Sequence, residues 1–445
     1  MESMLSKICN SVTHFFKVTT PKIGKEVGFT KRHSKLTALH FTQALLMSAY
    51  QEKEISLAQI ARQLKQLGVN ITKQGLHKRF KVQGRKLMEN LFKESLNSFK
   101  MKCMGGIDLL KTFAGVYLFD SSAISLPESM ATLYPGRGGT ASTSALKIQL
   151  MIDYINNHVE SLDITSGKEN DQGYKKHLAS IKEGCLYLQD LGYFSIETFK
   201  LMSSYGAYFI SRYLPQTKLY IESSGKDSLD LISKLKSSES SFSQDIWLGR
   251  EEKTRIKARL VVSPLGEEEI EARVKKAYAS AGKKGRRPSG DLLELLRWSI
   301  YITNTTSEQL PDGAIYLVYS LRWQIELFFK LCKSEAGVTH YKSALSDRVI
   351  CEFYAKMINV IILLSICQPI RWQEKEELSL RKAYKLLRHS AESFCIALQK
   401  PYRLLKFLRT FCSDLKVFGM KDRGGKKRCP SHNKLMDLTG QEVLI

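Results

Sequence analysis

The chain has 445 residues, and 68 lysines and arginines against 44 aspartates and glutamates leave a formal charge of +24. At roughly 150 residues per domain, that length suggests two or three domains with a core that needs no disulfide staples. A composition that is 43% hydrophobic and 10% aromatic, with only 10 prolines and 28 glycines, excludes a disordered or collagen-like chain, so the excess charge belongs to a folded protein and points to a polyanionic partner.

In chain order, residues 35–50 (KLTALHFTQALLMSAY) have helical apolar spacing, and Ser56 is placed to cap a second helix that Gly68 ends. After the connection 69–71, Thr72 caps a third helix running to Phe92. Helix, short glycine-containing turn and basic helix outline a helix-turn-helix, within a helical DNA-binding domain over residues 1–110. Thr72, Lys73, Gln74, His77 and Lys78 would project from the start of the recognition helix, with Arg79 and Lys81 nearer phosphates. A plain three-helix bundle fits the same pattern.

Beyond residue 110 the spacing turns alternating. Gly115–Pro127 reads as a strand, followed by the glycine-rich YPGRGGT, two further strands (LKIQLMIDY and HVESLDITSG), a helix over Gly173–Glu183, a strand LYLQDLGYF, a helix Ser195–Ser203 and a strand AYFISRYL. This is an α/β arrangement with a mixed sheet, whose first part spans 111–215. Residues 216–302 read as a β-rich insertion with a charged helix and the basic linker GKKGRRPSG. The strand RWSIYITN precedes a helix from Ala314 to about Glu335, which closes the last part of the core at 303–342. Residues 343–445 form a helical basic region, with Arg381, Lys385 and Arg388 on one face and Arg403, Lys406 and Arg409 on another. Met357–Cys367 is about half of the ~20 residues a membrane span needs and holds Asn359 and Ser365, so it reads as a buried helix, with no membrane involved.

Nine scattered cysteines, never spaced C-x-x-C, read as reduced thiols, and no secretory segment stands at the start, so a cytoplasmic protein is expected. Cys429 and His432 have too few neighbours for a metal site. Residues 1–110 carry a net +12 and 381–428 a net +11, while 111–380 carry only +2. The distribution suggests two basic ends that grip a polyanion around a nearly neutral centre.

Metal-assisted phosphodiester chemistry needs acidic side chains converging from rigid elements, because hard divalent ions prefer oxygen ligands. Asp120 stands in the apolar strand VYLFD and Asp190 ends the apolar strand LYLQD, positions where a carboxylate costs desolvation unless compensated. Each alone could cap the next turn; the pair on adjacent strands is more specific. Glu326 is the third acid. Tyr319, Arg322, Glu326 and Lys333 are spaced to lie along one side of a single helix, where a solvated Arg–Glu face is the plain alternative.

The pattern Tyr-x2-Arg-x3-Glu-x6-Lys, met by Tyr319, Arg322, Glu326 and Lys333, resembles the motif of the insertion-sequence-four group of DDE transposases. FDSS around Asp120, YPGRGGT followed by a strand with Lys147, DLGYFS around Asp190, FISR ending at Arg212, and RWSIYITN also resemble family blocks in family order. The resemblance implies an RNase H-like core with Asp120, Asp190 and Glu326 as the catalytic triad. It implies two Mg²⁺ ions, with Mn²⁺ as a substitute, and cut-and-paste cleavage and strand transfer at terminal inverted repeats. Arg212, Arg322 and Lys333 would contact phosphates, Tyr319 would hydrogen-bond one, and Trp298 would stack on a flipped base, with Trp247 a weaker candidate. The partners implied are double-stranded DNA, both transposon ends and target, and a second copy of the chain in the synaptic complex, in a bacterial, nucleoid-associated setting. A decayed transposase that only binds DNA, or a structure-specific nuclease, shares these features.

Overall fold

The computed structural model describes residues 1–421 apart from 32–33, 103–105, 140, 172, 284 and 373–376; Cys429 and His432 therefore lie outside the described residues. Nine strands form one mixed sheet: β1 (Gly115–Ser125), β2 (Ala145–Asp153), β3 (His158–Ser166), β4 (Cys185–Gln189), β5 (Tyr208–Arg212), β6 (Leu219–Tyr220), β7 (Phe242–Leu248), β8 (Ile256–Pro264) and β9 (Trp298–Thr303), in the order β3-β2-β1-β4-β5-β9-β8-β7-β6. β4 is parallel to both β1 and β5, while β2–β3 and β5–β9 are antiparallel. The first five strands, in the order β3-β2-β1-β4-β5, give the mixed α/β sheet expected from the sequence. Every residue of β2 and β4 is buried, as expected of strands covered on both faces. The strands of the 216–302 segment, β6–β8, continue this sheet outward from β9.

Among the described residues six α-helices precede the sheet, the first two joined by a π-helical stretch Phe15–Thr19: α1 (Glu2–His14), α2 (Thr20–Glu26), α3 (Ala38–Gln51), α4 (Leu57–Gln66), α5 (Lys73–His77) and α6 (Val82–Ser98). The Ser56 hydroxyl accepts from Gln59 N at 3.1 Å and caps α4, and Thr72 does the same for α5 through Gly75 N. The expected third helix, however, is two. The chain breaks at 78–81 because Phe80 turns inward to be buried, and because Arg79 O passes so close to Gly84 that a Cβ there would lie 2.4 Å from it.

α7 (Ile196–Ser204), α8 (Leu231–Lys236), α9 (Glu267–Gly282), α10 (Gly290–Leu295) and α11 (Asp312–Ser320) follow. The helix expected over Gly173–Glu183 is only a 3-10 turn at Lys176–Ser180. Its backbone is satisfied by a side chain instead: Lys182 N donates to the Tyr187 hydroxyl, which donates to Ser180 O. His177 there stacks on Phe119 at 4.2 Å between ring centroids.

The remaining helices are α12 (Trp323–Ser334), α13 (Ser346–Cys367), α14 (Leu380–His389), α15 (Ala391–Ala397) and α16 (Pro401–Phe418). The single helix expected over Ala314–Glu335 is broken. At Leu321 and Arg322 the amides bond three residues back, to Val318 O and Tyr319 O, so the turn tightens as Leu321 goes into the core. Tyr319, Arg322, Glu326 and Lys333 therefore do not share one continuous helix.

The chain divides into two compact units. One comprises Met1–Gly106, Asp120–Asn170 and the described chain from Trp323; the other contains Ile107–Phe119 and Asp171–Arg322. The core of the first is α13, long and apolar enough to cross a membrane but buried from Arg348 to Cys367, against α3, α6, α14, α16 and β3. Several of its polar side chains have partners there. Arg348 pairs with Glu352 at 2.8 Å, Asn359 donates to Leu46 O, and Lys356 donates to Gly337 O and His340 O at 2.8 and 2.7 Å. Burial pulls the Lys356 ammonium down to about 8. In the second unit, Arg259 of β8 reaches Asp312, Thr305 and Leu310 O, which fixes the start of α11. The seven described cysteines are free and buried.

Candidate active site

In the first unit, an open cleft of about 480 Å³ is lined by Asp120, Ser121 and Ser122 of β1 and by Glu326, Phe329, Lys330, Lys333 and Ser334 of α12. Asp120 follows five buried residues, Gly115–Phe119, and its Oδ1 accepts the Ser121 amide at 2.7 Å. Glu326, Lys330 and Lys333 are four and three residues apart and so lie on one side of α12, whose other side, Ile325, Phe328 and Leu331, is buried. Lys333 is half-buried, and desolvation lowers its pKa. Lys330 was missed in the sequence, although its i+4 spacing from Glu326 was a usable signal.

Cations hold the C-terminal end of α12. Glu335, 4% exposed, pairs with Arg381 at 2.7 Å and with Arg388 at 3.5 Å, and Arg388 also donates to Glu335 O. Burial pushes the Glu335 carboxyl up, but Arg381, Lys385 and Arg388 together take it below its ordinary value. The α14 face read from sequence as part of the basic grip is thus turned in part toward an internal acid. Gly337 follows at φ +66°, where a Cβ would also strike Lys53.

The second unit carries the other candidates. The parallel register pairs Phe119 with Gln189, so β1 and β4 run in step up to the residues that immediately precede Asp120 and Asp190. Asp190 lies just past β4, with its Oδ1 3.9 Å from Arg322 Nε. Tyr319 is buried and its hydroxyl donates to Gln189 O at 3.1 Å; burial raises its pKa well above the usual phenol range against the pull of Arg322 and Arg212. Arg212 lies over the Tyr319 ring at 5.5 Å. Trp298 is 6% exposed and donates from Nε1 to Glu294. It borders a cavity of about 160 Å³ together with Arg212, Arg273, Leu295 and Tyr301. Trp247 sits on β7 between Tyr220 and Lys257 of the flanking strands. Lys147, back in the first unit, is buried and donates to Glu169 O.

Of the helix-turn-helix residues, Lys73, Gln74, His77 and Lys78 are exposed, and Arg79 is half-buried, bonded to Ser34 and set over the Phe29 ring. They stand on a five-residue helix and the turn after it, a shorter platform than expected.

The cleft of Asp120, Glu326, Lys330 and Lys333 in the first unit, and Asp190 just past β4 in the second, carry the residue types that metal-assisted phosphodiester chemistry uses. The family described as "Transposase DDE domain" matches residues 111–362, more than half of the chain, and the chain belongs to that family: it is a DDE-type transposase. It is 27% identical over 446 residues to the transposase for insertion sequence element IS231B of Bacillus thuringiensis subsp. berliner, which covers 95% of this chain and 91% of that protein. To the transposase for IS1151 of Clostridium perfringens it is 28% identical, covering 100% and 99%. Among solved structures, the piggyBac transposase synaptic complex with hairpin DNA aligns with 96% of this chain and 88% of that chain at 11% identity and a TM-score of 0.46.

Family membership implies divalent metal ions and DNA as partners. Among the described residues no three acidic, histidine or cysteine side chains converge closely enough to hold an ion unaided. Asp120 and Glu326 on one cleft still fit a Mg²⁺-like ion, which is commonly held by one or two carboxylates and completes its shell with water and substrate phosphate.

Proposed function

We propose that this transposase cuts DNA at terminal inverted repeats and joins the freed 3′ hydroxyl to target DNA, with Asp120, Asp190 and Glu326 holding two Mg²⁺ ions. The observation that carries this reading is the shared cleft of Asp120, Glu326, Lys330 and Lys333, supported by the β1–β4 register that runs up to Asp120 and Asp190. When bound, the ions would lower the pKa of an attacking water and neutralise charge on the phosphate. In the first step the oxygen of water bonds to phosphorus, the P–O3′ bond breaks, and the water's proton leaves to solvent. In the second, the freed 3′ oxygen attacks a target phosphate and expels its 3′ oxygen.

Lys330 and Lys333 would pair with phosphate oxygens, and Arg212 and Arg322 would do so as forked donors. Tyr319, with its hydroxyl engaged at Gln189 O, would serve chiefly by fixing the backbone before Asp190, and Trp298 would be the stacking surface for a flipped base. Lys73, His77, Lys78 and Arg79 would contact the end sequence. Two ends must be processed together, so a homodimer on DNA is part of the proposal, in a bacterial cytoplasm close to the nucleoid.

The test is cleavage of DNA bearing the element's own terminal repeats by purified protein with Mg²⁺ or Mn²⁺. Asp120→Ala, Asp190→Ala and Glu326→Ala should each abolish cutting and leave binding intact. Robust cutting by the triple variant would sink the assignment.

A further inference from the structure

The nearly neutral centre of the chain conceals a segregated charge. Glu267, Glu268, Glu269 and Glu271 open α9, and from Ala272 to Gly290 there are seven basic residues and no acidic one. None of the 16 residues of α9 is buried. Ile270, Arg273, Val274, Ala277 and Ala281, at helical spacing, are half-buried and mark the side that rests on its unit, where Arg273 donates to Trp298 O and pairs with Glu269. The opposite side shows Lys275, Lys276 and Lys283, followed in the next loop by Arg286 and Arg287, all exposed. Among the described residues none of these five cations has an ion-pair partner. Tyr278, 48% exposed, stands beside them.

Stability does not account for this arrangement. Acids at the start of a helix and cations at its end suit the macrodipole, but that effect fades within a turn and does not reach Arg286 or Arg287. An ordinary solvated helix alternates signs to gain i,i+4 pairs; α9 has one such pair, Arg273 with Glu269, on the side that rests on its unit, while the outward lysines crowd together without one among the described residues.

We propose that the outer face of α9 and the loop after it form a contact surface for the phosphodiester backbone of duplex DNA, separate from the two basic ends. Lys275 and Lys283 are eight residues apart, about 12 Å along a helix, or roughly three to four base steps at 3.4 Å. Ala279 and Gly282 between them keep the surface low enough for a backbone to approach. The proposal rests on DNA being the substrate, but it needs no cleavage to be tested.

The experiment uses the full chain carrying Glu326→Gln, chosen to prevent cutting on the proposed function, and a duplex without terminal repeats. Affinity is measured against KCl concentration for this protein, for the neutralised variant (Lys275→Gln, Lys276→Gln, Lys283→Gln, Arg286→Gln and Arg287→Gln) and for a charge-keeping variant (Lys275→Arg, Lys276→Arg and Lys283→Arg). Neutralisation should make the slope of log K on log salt shallower by about 3 to 4, at roughly 0.9 per lost phosphate contact, and the arginine variant should retain the parent slope. An unchanged slope in the neutralised variant overturns the proposal. So does a loss seen only for vesicles of anionic phospholipid, which would assign the surface to membranes. If the wild-type chain proved unable to cut terminal repeats, the cleavage reading would fail while this slope measurement stood.

Discussion

Two helices rich in cations, α14 and α9, show how little a basic sequence says about what its charges do. On α14, Arg381 and Arg388 meet across the buried carboxylate of Glu335, and Arg388 also reaches Tyr50 O. On α9, Lys275, Lys276 and Lys283 face outward from a helix with no buried residue. The first group builds the protein and supports α12, the helix that carries Glu326; the second is left for a partner. Glu335→Ala is the largest test of that contrast. It leaves the more enclosed Arg388 without its counter-ion, and the loss should be about 3 kcal/mol, at the low end for a broken buried pair because Arg381 is more than half exposed. Guanidinium unfolding checks it. A loss below about 1 kcal/mol would place α14 with α9 as a solvated face.

A charge created inside the protein sharpens the same contrast. Burial holds the His177 imidazole down to about 4, against 6.5 for the free group. Between those values the unfolded chain takes up the proton and the folded chain does not, so stability falls as pH drops from 6.5 to 4. The full effect is roughly 3 kcal/mol. His177→Phe keeps an aromatic ring against Phe119 and should flatten the pH dependence in that window; unfolding midpoints at pH 7 and pH 4.5 compare the two. An undiminished slope would assign the acid sensitivity to other groups.

Much of the sheet was legible because its information is local. Apolar runs such as VYLF and LYLQ can only be covered strands, and an acid at the end of each marked Asp120 and Asp190. Glu326 and Lys333 were legible by spacing on α12, although the helix does not extend back to Tyr319. What stayed hidden depends on distant partners. Helical periodicity runs unbroken through 78–81 and 321–322, and the chain turns there because Phe80 and Leu321 find buried positions that neighbouring residues do not announce. The α14 cations looked solvent-facing because Glu335 lies 46 residues before Arg381. The α9 patch was hidden by averaging, since its acids and bases cancel over the central segment while separating along one helix.

Smaller effects belong to the exposed parts. Ser56→Ala removes the acceptor for Gln59 N and should cost about 1 kcal/mol, seen as faster hydrogen exchange in α4 with little change in α13. Smallest of all should be the stability change when the α9 cations are neutralised. Their side chains are exposed and, among the described residues, without ion pairs, and substitutions at such positions usually stay within about 0.5 kcal/mol. Melting of the neutralised protein should therefore coincide with that of the parent, and it could rise slightly as like-charge repulsion is relieved. A marked fall would mean that these lysines and arginines support the fold as Arg388 does. A coincident melt alongside a shallower salt slope separates the two kinds of basic helix, because no structural role would change the salt slope and leave the fold untouched.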